Sequence, residues 1–158
     1  MSEQTVIRRK SVILSFVVLC ACIVLLIAGL FLLNTRMKKI DVTGCLAADS
    51  SFSYSIDTLA GGRKMKITGW LIDGQVRDDA HVTTVVLRQE ETGEYFSLPT
   101  IPAARPDLNG TMEIPDSQVQ LAGFQSSAFR LTSKGPYHLY LLYEAGENRY
   151  LIDTQQIF

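Results

Sequence analysis

The sequence predicts an all-β domain, an antiparallel sandwich of about seven strands and Ig-like size, preceded by one transmembrane α-helix. Three observations predict it. Beyond Ile40, apolar and polar residues alternate at period two, as half-buried strands do. Turn residues separate these runs at regular spacing, with no convincing amphipathic helix between them. Upstream, Val12 to Leu33 runs for 22 residues without a charge.

That apolar run would form a helix about 33 Å long, enough to cross a hydrocarbon core of roughly 30 Å. Arg8, Arg9 and Lys10 close one end; Arg36, Lys38 and Lys39 close the other. A secretory signal has a shorter apolar region ending in a small-residue cleavage site. Here Ala28-Gly29 is followed by four more apolar residues, so an uncleaved anchor is expected. Leu19-Cys20-Ala21-Cys22 loosely resembles a lipoprotein processing site, but cleavage there would leave Ile23 to Leu33 as a bare apolar tail. In the simpler reading both cysteines are small hydrophobes in a lipid-facing helix. The flanks tie at three Lys/Arg each. Orientation then follows from length: a short amino-terminal tail stays cytoplasmic, and a long domain is exported whatever its flanking charge. The expected division is a cytoplasmic tail (1–10), a transmembrane helix (11–34), a juxtamembrane linker (35–49) and an exported domain, periplasmic or extracellular (50–158).

The strands follow in order. Phe52, Tyr54 and Ile56 alternate with serines and Asp57, until Gly61-Gly62 breaks the run. Met65, Ile67, Gly69 and Leu71 share one face of the next, with Lys66, Thr68, Trp70 and Ile72 on the other; Trp70 is nonetheless a candidate core anchor. The β-branched run Val82 to Gln89 has little reason to be helical. Glu91 to Glu94 reads as a hairpin loop into Tyr95–Leu98. Four of five prolines fall between Pro99 and Gln118, which predicts a long crossing loop in place of a helix or central strand. Runs at Phe124–Leu131, Tyr137–Tyr143 and Arg149–Phe158 complete the set.

Charge excludes one class of partner. Six of the fifteen Lys and Arg lie in the first 39 residues, so the remainder carries nine bases against fifteen acids. Such a domain repels phosphate, and no nucleic-acid partner is expected. Outside the apolar run only Cys45 remains; it reads as a buried free thiol or as a partner for an intermolecular bridge.

No enzyme constellation is present. His81 and His138 have no cysteine or second histidine at metal-ligand spacing, and no nucleophile elbow or phosphate-binding glycine pattern occurs. Asp78-Asp79 are adjacent acids in a turn, and Asn109-Gly110-Thr111 matches a glycosylation sequon. No catalytic, cofactor-binding or metal-ligating residue is expected. Arg105-Pro106-Asp107 stands out: proline holds Arg105 extended, and Asp107 can bond backbone amides in the turn toward Asn109-Gly110. The turn alone accounts for the triplet; an Arg and an Asp held two apart could also grip sugar hydroxyls. Gly123 before Phe124 suggests close backbone approach or a bulge.

Ile67-Thr68-Gly69-Trp70, Val85-Val86-Leu87, Tyr95, Arg105-Pro106-Asp107-Leu108, Gly123-Phe124, Gly135-x-Tyr137-x-Leu139 and Tyr150–Thr154 occur in that order. This order resembles a small β-sandwich module of bacterial cell-surface polysaccharide proteins, found beside glycosyltransferases and in membrane-anchored proteins of envelope glycan loci. The resemblance covers Ile67 to Phe158. It implies a bacterial envelope setting and an accessory or binding role without catalysis. The expected protein is a single-pass module of the plasma membrane serving a surface-glycan system; a structural subunit of a membrane assembly is the alternative. Its expected partners are the bilayer and a membrane protein or surface glycan, with no cofactor. Arg105, Asp107, Trp70 and Tyr95 are the candidate ligand or turn contacts.

Overall fold

The computed structural model describes residues 3–62, 64–75, 81–109, 120–129 and 135–157. The chain divides into two units, Met1–Asn34 and Thr35–Phe158. The first is helix α1, Glu3–Asn34. No glycine or proline interrupts it before Gly29, so the helix begins at Glu3 and takes in most of the expected tail. Its stretch Val12–Leu33 is long and apolar enough to cross a membrane, and none of it is buried.

The second unit is built from ten strands among the described residues: β1 (Lys38–Ile40), β2 (Leu46–Ala47), β3 (Phe52–Ala60), β4 (Lys64–Asp73), β5 (His81–Gln89), β6 (Tyr95–Ser97), β7 (Thr100–Ala103), β8 (Gly123–Phe129), β9 (Tyr137–Ala145) and β10 (Asn148–Ile157). They form a six-stranded sheet, β1-β6-β5-β9-β10-β2, and a four-stranded sheet, β3-β4-β8-β7. All described pairings are antiparallel except β10 with β2 and a single parallel bridge from Arg36 to Phe129.

One core joins the two sheets. Met65, Ile67 and Leu71 of β4 and Phe124 and Ala128 of β8 cluster with Val85 and Leu87 of β5, Leu139, Leu141 and Tyr143 of β9, and Ile152 of β10. Each strand contributes every second residue, because successive side chains leave a strand on opposite faces.

Three short strands raise the count from the expected seven to ten, and all three lie at sheet edges. β1 and β2 fall within residues 35–49, and the segment expected as a linker is part of the β unit. Three-residue and two-residue strands are too short to show period two. β7 lies inside the expected proline-rich loop. It is the outer strand of its sheet, where Pro102 is tolerated opposite Phe124 because only one side of an edge strand needs ladder donors. A short 3-10 turn, Pro106–Leu108, follows.

Trp70 departs from its expected role as a core anchor. It leaves β4 on the face opposite Met65, Ile67 and Leu71, half-buried against a small second cluster of Ile72, Leu108 and Ala122. Cys45 is free and half-buried.

Candidate ligand-binding site

The outer face of the four-stranded sheet carries a groove of about 290 Å³, lined by Asp57, Lys66, Thr68, Ala103, Arg105 and Gln125 among others. Two glycines and a bulge shape it. Across β3 and β4, Ile56 pairs with Gly69 and Thr58 with Thr68, leaving Asp57 as an extra residue. A bulge of this kind bends the strand and re-aims a side chain. Gly69 permits it: a methyl group there would collide with the Ser55 carbonyl and stand 2.8 Å from the Phe124 ring tip. Gly123, on β8, lets the Arg105 stem lie close. A methyl group at Gly123 would sit 2.8 Å from Arg105 Cγ and would strike the Ala103 carbonyl.

Arg105 precedes the 3-10 turn with φ −125° and ψ 68°, out of the helical region as Pro106 requires. Its side chain is only 19% exposed, and its guanidinium donates three hydrogen bonds to two carboxylates. Nε reaches Asp107 Oδ1 at 2.8 Å, Nη2 reaches Asp107 Oδ2 at 2.7 Å, and Nη1 reaches Asp57 Oδ2 at 2.6 Å. The Arg105 hydrogen bond holds the Asp107 carboxyl below the usual carboxylate range. The same pairing with Asp107, reinforced by Asp57, raises Arg105 further. This is a bidentate clamp closed by a second carboxylate. Asp107 is expected to bond backbone amides of the turn; its carboxylate takes Arg105 and also accepts a backbone hydrogen bond from its own amide, while Gly110 lies outside the described residues. Leu108 N and Asn109 N bond the carbonyls of Arg105 and Pro106.

Three of the four residues singled out in the sequence therefore share one face. Arg105 and Asp107 touch, and Trp70 packs against the small cluster that includes Leu108 of the same turn, which places it beside the clamp. Tyr95 lies elsewhere, on β6 of the other sheet, half-buried and edge-on to Tyr140 at 5.6 Å. There burial, with Asp153 next in effect, raises the Tyr140 phenol. Asp57 had no local signal in the sequence. Gly69 inside a strand was the only pointer to it, since such a glycine marks a bulge or a close approach.

His81 is buried at the start of β5 and stacked on Tyr143 at 5.1 Å. Its Nε2 has no hydrogen-bond partner among the described residues. Burial lowers its pKa, against the smaller opposing effects of the Leu121 backbone and of Asp73. The folded state thus favours neutral imidazole, and the unfolded chain binds the extra proton. The stabilisation is complete above the unfolded value of about 6.5 and declines as pH falls below it. The denaturation midpoint should fall between neutral pH and about pH 5.5, and His81→Gln should remove that part of the slope. An unchanged slope would place the titration elsewhere. His138 is half-buried on the outer side of β9, opposite Arg88.

Asp78 and Asp79 lie outside the described residues, as do Gly110 and Thr111 of the sequon. Among the described residues, no three His, Cys, Asp or Glu side chains group as metal ligands. Compared with family models, curated proteins and solved structures, the chain matches none.

Proposed function

We propose that the protein is a single-pass accessory or binding module of a bacterial plasma membrane, with a cytoplasmic amino terminus and an exported β unit serving a surface-glycan system. The observation that carries the reading is the unburied, uncharged stretch Val12–Leu33, joined directly to a β unit. A helix of that length without a buried face has no protein core to enter, and lipid is the solvent that suits it.

Strand order supports an Ig-like sandwich. If β3, β4, β7 and β8 are taken as strands A, B, D and E, and β5, β6, β9 and β10 as C, C′, F and G, the two sheets read A-B-E-D and C′-C-F-G, with β1 and β2 added at the edges. This order is consistent with the seven-stranded Ig arrangement, with C′, β1 and β2 as three further strands.

The groove supports a polar ligand such as a surface oligosaccharide. Arg105 is already matched by two aspartates, while the Thr68 hydroxyl and Gln125 amide line the same space. A few placed polar groups in a concave site confer orientation and specificity.

The full chain in detergent micelles should retain oligosaccharides from the surface glycan of its host, and Gln125→Leu should lose them while keeping its circular dichroism spectrum. Retention of none would overturn the glycan reading. Release of the protein from membranes by carbonate would overturn the anchor, and protection of the β unit from protease added to spheroplasts would reverse the orientation.

A further inference from the structure

We propose that the outer face of the four-stranded sheet, at its Arg36–Phe129–Lys64 row, docks on the anionic headgroups of the bilayer. The proposal rests on the membrane-anchor reading. Its first observation is the absence of a spacer. Helix α1 ends at Asn34, and the next residue is already hydrogen-bonded to β8: Phe129 N donates to Thr35 O at 3.2 Å. Two residues of chain reach at most about 7 Å, so a spanning α1 holds Arg36 at the headgroup layer.

The second observation is what stands in that row. Arg36 bridges to Phe129, and Phe129 pairs with Lys64. Residues directly paired across strands project to the same face, and here it is the outer one, shared with Lys66 in the row of Ser127. Adjacent strands lie about 4.8 Å apart, so the two ends of the row are about 10 Å from each other. Arg36, Lys64 and Lys66 are exposed, and none has an ion-pair partner among the described residues. Lys39, Arg105 and Arg149, by contrast, each hold a carboxylate. Beyond residue 39 the chain is acidic as a whole, so a cationic row beside the point of membrane entry is not its average surface. Phe129, half-buried between the cations, supplies the apolar body suited to a membrane interface. Juxtamembrane cations are drawn to anionic leaflets over about a Debye length.

The test uses the full chain with Trp70→Phe and Phe129→Trp, which places the single tryptophan in the row. It is reconstituted in vesicles of phosphatidylcholine, or of phosphatidylcholine and phosphatidylglycerol in equal parts, each with a headgroup spin-labelled lipid. Quenching should be about twofold stronger in the anionic vesicles. It should fall to the phosphatidylcholine level at high salt or on adding Lys64→Glu and Lys66→Glu. In the unsubstituted chain, the same contact should protect Lys64 and Lys66 from amine acetylation in anionic vesicles alone. Equal quenching and equal acetylation in both vesicle types would overturn the proposal. Failure to float with either vesicle would overturn the anchor reading itself, and this proposal with it.

Discussion

Phe124→Ala should lower the stability of the β unit by about 3–5 kcal/mol, the range for truncating a large buried aromatic. Phe124 is 1% exposed. It stands on β8 between Gly69 of β4 and Pro102 of β7, and its ring enters the cluster that both sheets share. Collapse around the lost ring is resisted on each side, because its cross-strand partners are a residue without a side chain and a rigid one. Domains of this size are stable by about 5–15 kcal/mol in all, so the loss removes a large share. Trp70→Ala is the comparison. The indole is larger, yet half-buried on the outer face, and its removal should cost about 2 kcal/mol. Denaturant midpoints of the full chain in detergent give both values, and a larger loss at Trp70 would contradict the assignment of faces.

That contrast shows where the sequence was legible. The partition of β4 into Met65, Ile67, Gly69 and Leu71 against Lys66, Thr68, Trp70 and Ile72 is the one the structure shows. Period two alone decides it. Which face meets the other sheet is also decided, since one carries lysine and the other does not. Reading Trp70 as a core anchor set side-chain size above that alternation, and the alternation prevailed. Strands of seven to ten residues could be read from the sequence for the same reason. Three-residue β6 was still marked by the hairpin loop before it, but β1, β2 and β7 were not, because they exist through pairing partners distant in sequence: Ile40 with Tyr95, Leu46 with Tyr150, Thr100 with Ser126.

The candidate site was half legible. Arg105-Pro106-Asp107 announces itself locally through proline and charge. Asp57 reaches Arg105 only because a bulge turns it there, 48 residues away along the chain. No spacing rule finds such a pair, and only the fold brings it together.

Gly69→Ala should be the most damaging single-methyl change in the β unit, costing about 3 kcal/mol, at the upper end for overpacking. The added carbon would collide with the Ser55 carbonyl oxygen, lie 2.8 Å from the tip of Phe124 and 3.2 Å from the Ile56 backbone. A ring can swing aside; a carbonyl within a paired strand moves only with its strand. Displacing β3 at Ser55 and Ile56 shifts the bulge that aims Asp57, so Arg105 should keep Asp107 and lose its second carboxylate. The pair Gly69→Ala with Phe124→Leu separates the two obstructions. If the ring were the whole obstacle, the smaller side chain would restore stability. Because the carbonyl remains, the double variant should stay at least as unstable as Gly69→Ala alone. Gly29→Ala, where nothing stands within 4 Å of the new methyl, is the neutral control. Recovery of the wild-type midpoint in the double variant would show that the strands approach less closely at Gly69 than the bulge requires.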